Sequence, residues 1–292
     1  MSPKAWAALW AVYIIWGSTY LGIAVAGETI PLMLAVSTRF LFAGSIMAVV
    51  VRRRGGTLRI SRRAFVSCAL IGCLLPGANA VLFYAERDVA TGLASLIIAS
   101  VPLLVVLLRL FARERLPTTA LVGVGIGFAG VAIIAQPSGE ATLGGLGLCV
   151  LSSVMWSVGS VASARLTMPS DAFAATTWEM LIGGFVMLPF GLAQAGSLSP
   201  STSSILAWVY LVTFGSVIGY TGYVWLLSNA PLGTVSTYAY VNPVVAIILG
   251  VLFRNEHLST RILIGAAVVV SAVAIVVRSE PPAATQPEEG VR

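Results

Sequence analysis

The chain has 292 residues, 58% of them hydrophobic and 10% charged, with a mean hydropathy of +0.96 and a formal charge of +6. A soluble domain is about a quarter charged, so this composition excludes a water-surrounded globule and every disordered, collagenous or disulfide-stapled class. It describes a membrane protein. At about 20 apolar residues per crossing the length admits about ten helical spans and leaves no room for a catalytic domain outside the bilayer.

Apolar runs separated by polar or turn-forming clusters predict spans near 5–25, 32–51, 64–84, 90–110, 118–135, 143–164, 171–192, 204–227, 232–253 and 260–277. The start, Met1-Ser2-Pro3-Lys4, lacks a small-residue cleavage site after a short apolar core and reads as the first span, not a removed signal peptide. Connections such as Gly27–Pro31 and Ser228–Pro231 are so short that the helices they join must be antiparallel neighbours. The tail, 279–292, is rich in Pro and Glu and is expected to be disordered on the cytoplasmic side. Cys68, Cys73 and Cys149 all lie in apolar stretches and read as small hydrophobes.

With the N-terminus in the cytoplasm, thirteen basic residues fall on the inside, among them Arg52, Arg53, Arg54, Arg59, Arg62, Arg63, Arg113, Arg115 and Arg165. Three fall outside: Arg87, Arg254 and Arg261. This positive-inside bias places both termini in the cytoplasm and predicts a multi-pass protein of the inner (plasma) membrane. The Arg52–Arg63 cluster is read as such a loop and not as a nucleic-acid patch.

The two halves of the chain repeat. A shift of 141 sets Gly92 on Gly233, Ser95 on Ser236 and Pro102 on Pro243; a shift of 142 sets Glu114 on Glu256 and Gly123 on Gly265; and a shift of 140 sets Trp16 on Trp156 and Gly44 on Gly184. The expected fold class is therefore an all-α membrane protein of ten transmembrane helices. Its repeats are residues 1–140 and 141–278. Five spans per repeat make the second enter from the opposite side, the inverted arrangement usual in secondary transporters.

Trp16-Gly17-Ser18-Thr19-Tyr20, Arg39-Phe40, and the stretch from Ala90-Thr91-Gly92 through Pro102 to Glu114-Arg115-Leu116 resemble an EamA-type unit of the drug/metabolite transporter superfamily. Pro231-Leu232-Gly233 through Asn242-Pro243 to Glu256-His257-Leu258-Ser259 resembles that family's second unit. The resemblance implies a ten-helix bundle with peripheral fifth and tenth helices and export of small metabolites, often amino acids. Aromatic amino-acid exporters of the YddG kind are neighbours within that family.

Arg39 and Glu179 are the two ionisable residues placed deep inside spans, at equivalent positions of the two repeats. Each costs roughly 2.5–3.5 kcal/mol at the bilayer centre unless paired or hydrated. They are candidates to contact a zwitterionic solute, or for Glu179 to carry a coupling proton; the alternative is a structural salt bridge. Pro76, Pro102 and Pro243 interrupt spans and free the carbonyls of Gly72, Ile98 and Ala239, which makes them candidate hinges beside a cavity or static kinks. Tyr13, Trp16 and Tyr20 share one helix face, and Trp156 with Ser160 occupies the equivalent helix. Tyr238 with Asn242, and Asn79, Tyr84, Trp178 and Tyr223, complete the expected lining of a solute cavity. Tyr220 is a further aromatic candidate, whereas Trp6, Trp10 and Trp208 are expected to anchor at the lipid interface.

Gly125-Ile126-Gly127-Phe128-Ala129-Gly130 fits the dinucleotide fingerprint but lies inside an apolar span, so it is read as a close-packing face. No Walker motif, H-E-x-x-H or intramembrane aspartate pair occurs. The expectation is a non-enzymatic secondary transporter without cofactor, metal, nucleic-acid partner or ATP. Its partners are a small molecule, the lipid bilayer and, if coupled, protons. Multidrug export and passive facilitation are the alternatives.

Overall fold

The computed structural model describes residues 1–134, 141–196, 198–230, 232–235 and 237–279. The expected tail beyond Ser279, and the repeat match at Ser236, lie outside the described residues. Eight helical spans are long and apolar enough to cross a membrane, and two shorter apolar helices, Thr118–Ile134 and Tyr238–Arg254, accompany them. Among the described residues there is no strand.

The first half of the chain forms α1 (Pro3–Ala26), α2 (Leu32–Arg53), α3 (Arg62–Ala85), α4 (Thr91–Ile98), α5 (Val101–Phe111) and α6 (Thr118–Ile134). The second comprises α7 (Leu143–Ser163), α8 (Ala172–Ala193), α9 (Thr202–Tyr210), a π-helical segment (Leu211–Ile218), α10 (Gly219–Asn229), α11 (Leu232–Val235), α12 (Tyr238–Arg254) and α13 (Thr260–Ser279). Starts are fixed by polar caps. Ser2 accepts the Ala5 amide with Pro3 in the first turn, Ser61 accepts that of Ala64, Thr142 that of Gly145, and Asp171 that of Phe173. These caps satisfy orphan amides that lipid could not.

The outer surface is apolar. Phe111 is 74% exposed, Phe185 69% and Leu252 67%, exposures that only lipid tolerates over a whole molecule. Inside, small residues set the helix crossings. A Cβ on Gly72 would strike the Glu179 carbonyl of α8, and one on Gly183 would strike Gly72 and Pro76 of α3, so these two helices meet backbone to backbone. α6 and α13 pack on each other at one side of the bundle. In the Gly125–Gly130 motif, Gly127 and Gly130 press against Ala272 and Val269 of α13, while Gly125 faces open space. The motif is a packing face.

Three spans are interrupted. One breaks at Ala99–Ser100, ahead of Pro102, and another between α11 and α12, ahead of Pro243. The third widens into the π-helix without any proline. Pro189 inside α8 is a further intraspan proline.

Candidate functional site

The interrupted spans surround a central cavity of about 140 Å³. A void of about that size holds one benzene ring. Rings dominate its wall: Trp16 and Tyr20 from α1, Trp156 from α7, Tyr220 from α10 and Tyr238 from α12. Trp16 is the centre of the aromatic cluster. Its centroid lies 5.5 Å from Tyr220, 5.1 Å from Tyr223 and 5.1 Å from Tyr238. Its indole N–H donates to the Gly215 carbonyl at 3.2 Å, and Gly219 has no room for a Cβ beside it.

Polar groups are few and come from the broken helices. Ile98 and Ala239, whose carbonyls lose their helical donors to Pro102 and Pro243, both line the cavity, as do the two prolines. Asn79 lines it too and donates to the Leu75 carbonyl at 3.3 Å. Asn242 lines it from α12, and with its amide turned so that the nitrogen faces the acceptors, that nitrogen reaches the carbonyls of Tyr13 at 3.3 Å and Tyr238 at 3.2 Å. Ser95 and Ser152 complete the hydroxyl lining, but each already donates to a carbonyl, at Gly92 and Ala78.

Arg39 is the one charged residue among those lining the cavity and is 4% exposed. Its Nε donates to the Ser216 hydroxyl of the π-helix at 3.0 Å, and its guanidinium stands 5.1 Å from the Phe40 ring. Nη1 is buried without an acceptor. Arg39 and Glu179 form no ion pair with each other among the described residues. Glu179 lies within electrostatic reach of Cys68 and Tyr220 but is not part of the cavity wall.

The structure thus gathers Trp16, Tyr20, Arg39, Asn79, Trp156, Tyr238 and Asn242 around one void, with Pro102 and Pro243 at its broken helices. It places other candidates elsewhere. Tyr13 bonds Thr237, and Tyr223 packs behind Trp16. Ser160 donates to the Trp156 carbonyl on its own helix. Trp178 donates to the Leu58 carbonyl in the arginine-rich loop, and Tyr84 pairs with Gln194 at the opposite end. Pro76 sits in the α3–α8 crossing rather than at the cavity. Trp208 is a packing residue, its indole donating to Ala35 of α2 at 3.0 Å. Thr19, Ser95, Ser152 and Gly215 line the cavity although nothing in their spacing singled them out.

The two ends of the bundle differ. At the end bearing Glu28, Glu86 and Arg254, Glu256 accepts the amides of Thr91 at 2.7 Å and Gly92 at 3.0 Å, tying the second repeat to the start of α4. Arg254 pairs with Glu28 beside it, and α4 packs along α12. At the arginine-rich end, Glu114 instead pairs with Arg109 and Arg165, and α11 packs chiefly on α10.

A lipid-facing bundle of interrupted helices around a ring-lined cavity is the architecture of a membrane carrier. Comparison with known proteins makes this specific: the chain belongs to the EamA-like transporter family, which matches it twice, over residues 5–136 and 143–278. It is 37% identical over 276 residues to the uncharacterized inner membrane transporter YedA of Escherichia coli strain K12, covering 92% of this chain and 89% of that one. It is 28% identical to the protein PecM of Dickeya dadantii, covering 90% and 88%. A protein of known crystal structure shares its fold, with a TM-score of 0.65 at 22% identity over 94% of this chain and 96% of that one. The chain is a multi-pass membrane transporter.

Proposed function

We propose that this inner-membrane protein is a secondary transporter that exports a small metabolite with an aromatic or apolar body, an amino acid being the leading candidate, by alternating access. The reading takes residues 1–140 and 141–278 as inverted repeats of five spans each, with both termini in the cytoplasm. The observation that carries it is the ring-lined cavity at the breaks of α4–α5 and α11–α12. Interrupted helices around a central void are where carriers of inverted-repeat design hold their solutes. The Glu256 clamp supports closure of the end that the charge bias puts outside the cell.

The test is counterflow. Purified protein in liposomes loaded with unlabelled amino acids should accumulate the labelled solute transiently above equilibrium, as a carrier does. Flux without stimulation by internal solute would make it a channel and overturn alternating access. Glu179 is the proposed proton site. Glu179→Gln should abolish pH-driven uptake while exchange continues, and equal loss of both would remove Glu179 from coupling.

A further inference from the structure

Arg39 presents an unfinished hydrogen-bond set to a cavity otherwise built of rings and neutral dipoles. A guanidinium carries five N–H donors in a planar fork. Here Nε is satisfied by Ser216, Nη1 is buried with no acceptor among the described residues, and Nη2 lies close to the Cβ position that Gly215 leaves empty. No aspartate or glutamate lines the cavity, and the ring of Phe40 offers the cation only a weak π face. A buried cation normally has a counter-charge. This one has a void instead.

The surroundings hold the fork in place. Ser216 is fully buried on the π-helical segment, and the widened turn there brings Gly215 and Ser216 alongside Arg39 from a helix that carries no proline. Single π turns of this kind recur at functional sites. In the same cavity wall, Trp16, Tyr220 and Tyr238 form a cluster of rings, and the Trp16 indole bonds the Gly215 carbonyl next to the Arg39 partner Ser216. The void therefore has one cation and several rings on its lining, with room for about one ring.

The geometry points to Arg39 as the anchoring subsite for the carboxylate of a one-ring or similarly sized apolar solute, whose body lies against Trp16, Tyr220 and Tyr238. This rests on the transporter reading above and adds to it the residue and the chemical group of recognition. Planar pairing of guanidinium with carboxylate supplies the acceptors that the protein itself leaves out.

The test is a charge series of one shape, bound at equilibrium to the full chain in nanodiscs: 3-phenylpropionate, its uncharged amide 3-phenylpropionamide, and phenethylamine. The wild type should bind the acid at least tenfold more tightly than the amide or the amine. Arg39→Met should erase that preference, and Arg39→Lys should retain part of it. Ser216→Ala, which removes the positioning hydroxyl without touching the charge, should weaken the acid alone. If Arg39→Met does not fold, the wild-type ranking and Ser216→Ala still decide. No binding of the acid, or a ranking blind to charge, overturns the assignment. Counterflow with a charge-blind ranking would overturn the Arg39 subsite and leave transport standing; the converse result would overturn transport and leave the subsite.

Discussion

At one end of the bundle, α12 stops at Asn255 in the left-handed conformation, and the next residue, Glu256, reaches across to the amides that open α4. At the other end, α5 is followed by Arg113, also left-handed, and the next residue, Glu114, stays with Arg109 and Arg165. The turns are counterparts under the 142-residue shift, so one local structure has been built twice and used in two ways. The difference teaches that the sequence repeat is symmetric while the conformation is not. On the alternating access proposed above, such a split corresponds to one end being closed. Under alternating access, the reverse state has Glu114 give up its arginines for the amides at the start of α11, and Glu256 release α4.

The largest break in this comparison should come from Glu256→Ala. It leaves two amides at the start of α4 without their carboxylate, and hydrogen bonds to charged groups are worth about 1.5–3 kcal/mol. The closed end should open enough that Ser152→Cys, placed in a background free of the native cysteines, labels at least tenfold faster with an impermeant thiol reagent added from the Glu256 side. Unchanged labelling would deny that the glutamate clamps.

A smaller, pH-dependent effect should come from Glu86, just past the end of α3. Burial, then the nearby Glu256 carboxylate, raises its pKa well above the ordinary carboxylate value, and Arg254 offsets this only in part; both its carboxyl oxygens lack partners. A carboxyl whose folded pKa is raised gives stability that is full below its unfolded pKa and is lost as pH rises through the folded one. Alkaline buffer should therefore loosen the closed end, with Tyr20 and Cys149 also within reach of the new charge. Glu86→Gln should make the opening of that end independent of pH. A pH response equal to wild type would place the titrating group elsewhere.

The smallest effect should follow Glu114→Gln. Arg109 and Arg165 hold the Glu114 carboxyl below its usual range, so it stays ionised across the physiological span. Exposed ion pairs like these add little to stability. Thermal stability in detergent should hardly move, whereas exchange rates should fall if Glu114 has a second partner in the reverse state. A large loss of stability would mean that the pair is structural.

Much of this architecture was legible in the residues because lipid enforces it. A span must be apolar and bounded by turn-forming or polar residues, so α2, α7 and α13 begin where the sequence places them. The breaks were harder. Pro102 and Pro243 announce two of them, but the π-helix at 211–218 carries no proline, and its widening is visible only once Arg39 and Trp16 are packed against it. The cavity was legible through residues costly to leave in lipid: Arg39, Asn79 and the spaced rings of Trp16 and Tyr20. Thr19 and Ser95 stand in the repeat and the motif, but neither they nor Gly215 could be read as cavity lining, because small residues in an apolar helix look alike whether they face a void, a neighbour or lipid. Glu179 and Trp178 show the converse. A rare residue deep in a span need not reach the cavity, since its side chain follows the helix face and not the depth.

Alternating access requires the two ends to open in opposition. Spin labels at positions 143 and 258 report the closed end, and labels at 166 and 229 the arginine-rich end, all replacing surface residues. Distances measured in nanodiscs, with and without saturating transported solute, should show the first pair moving apart as the second draws together. Two pairs that lengthen together, or that never change, would contradict it.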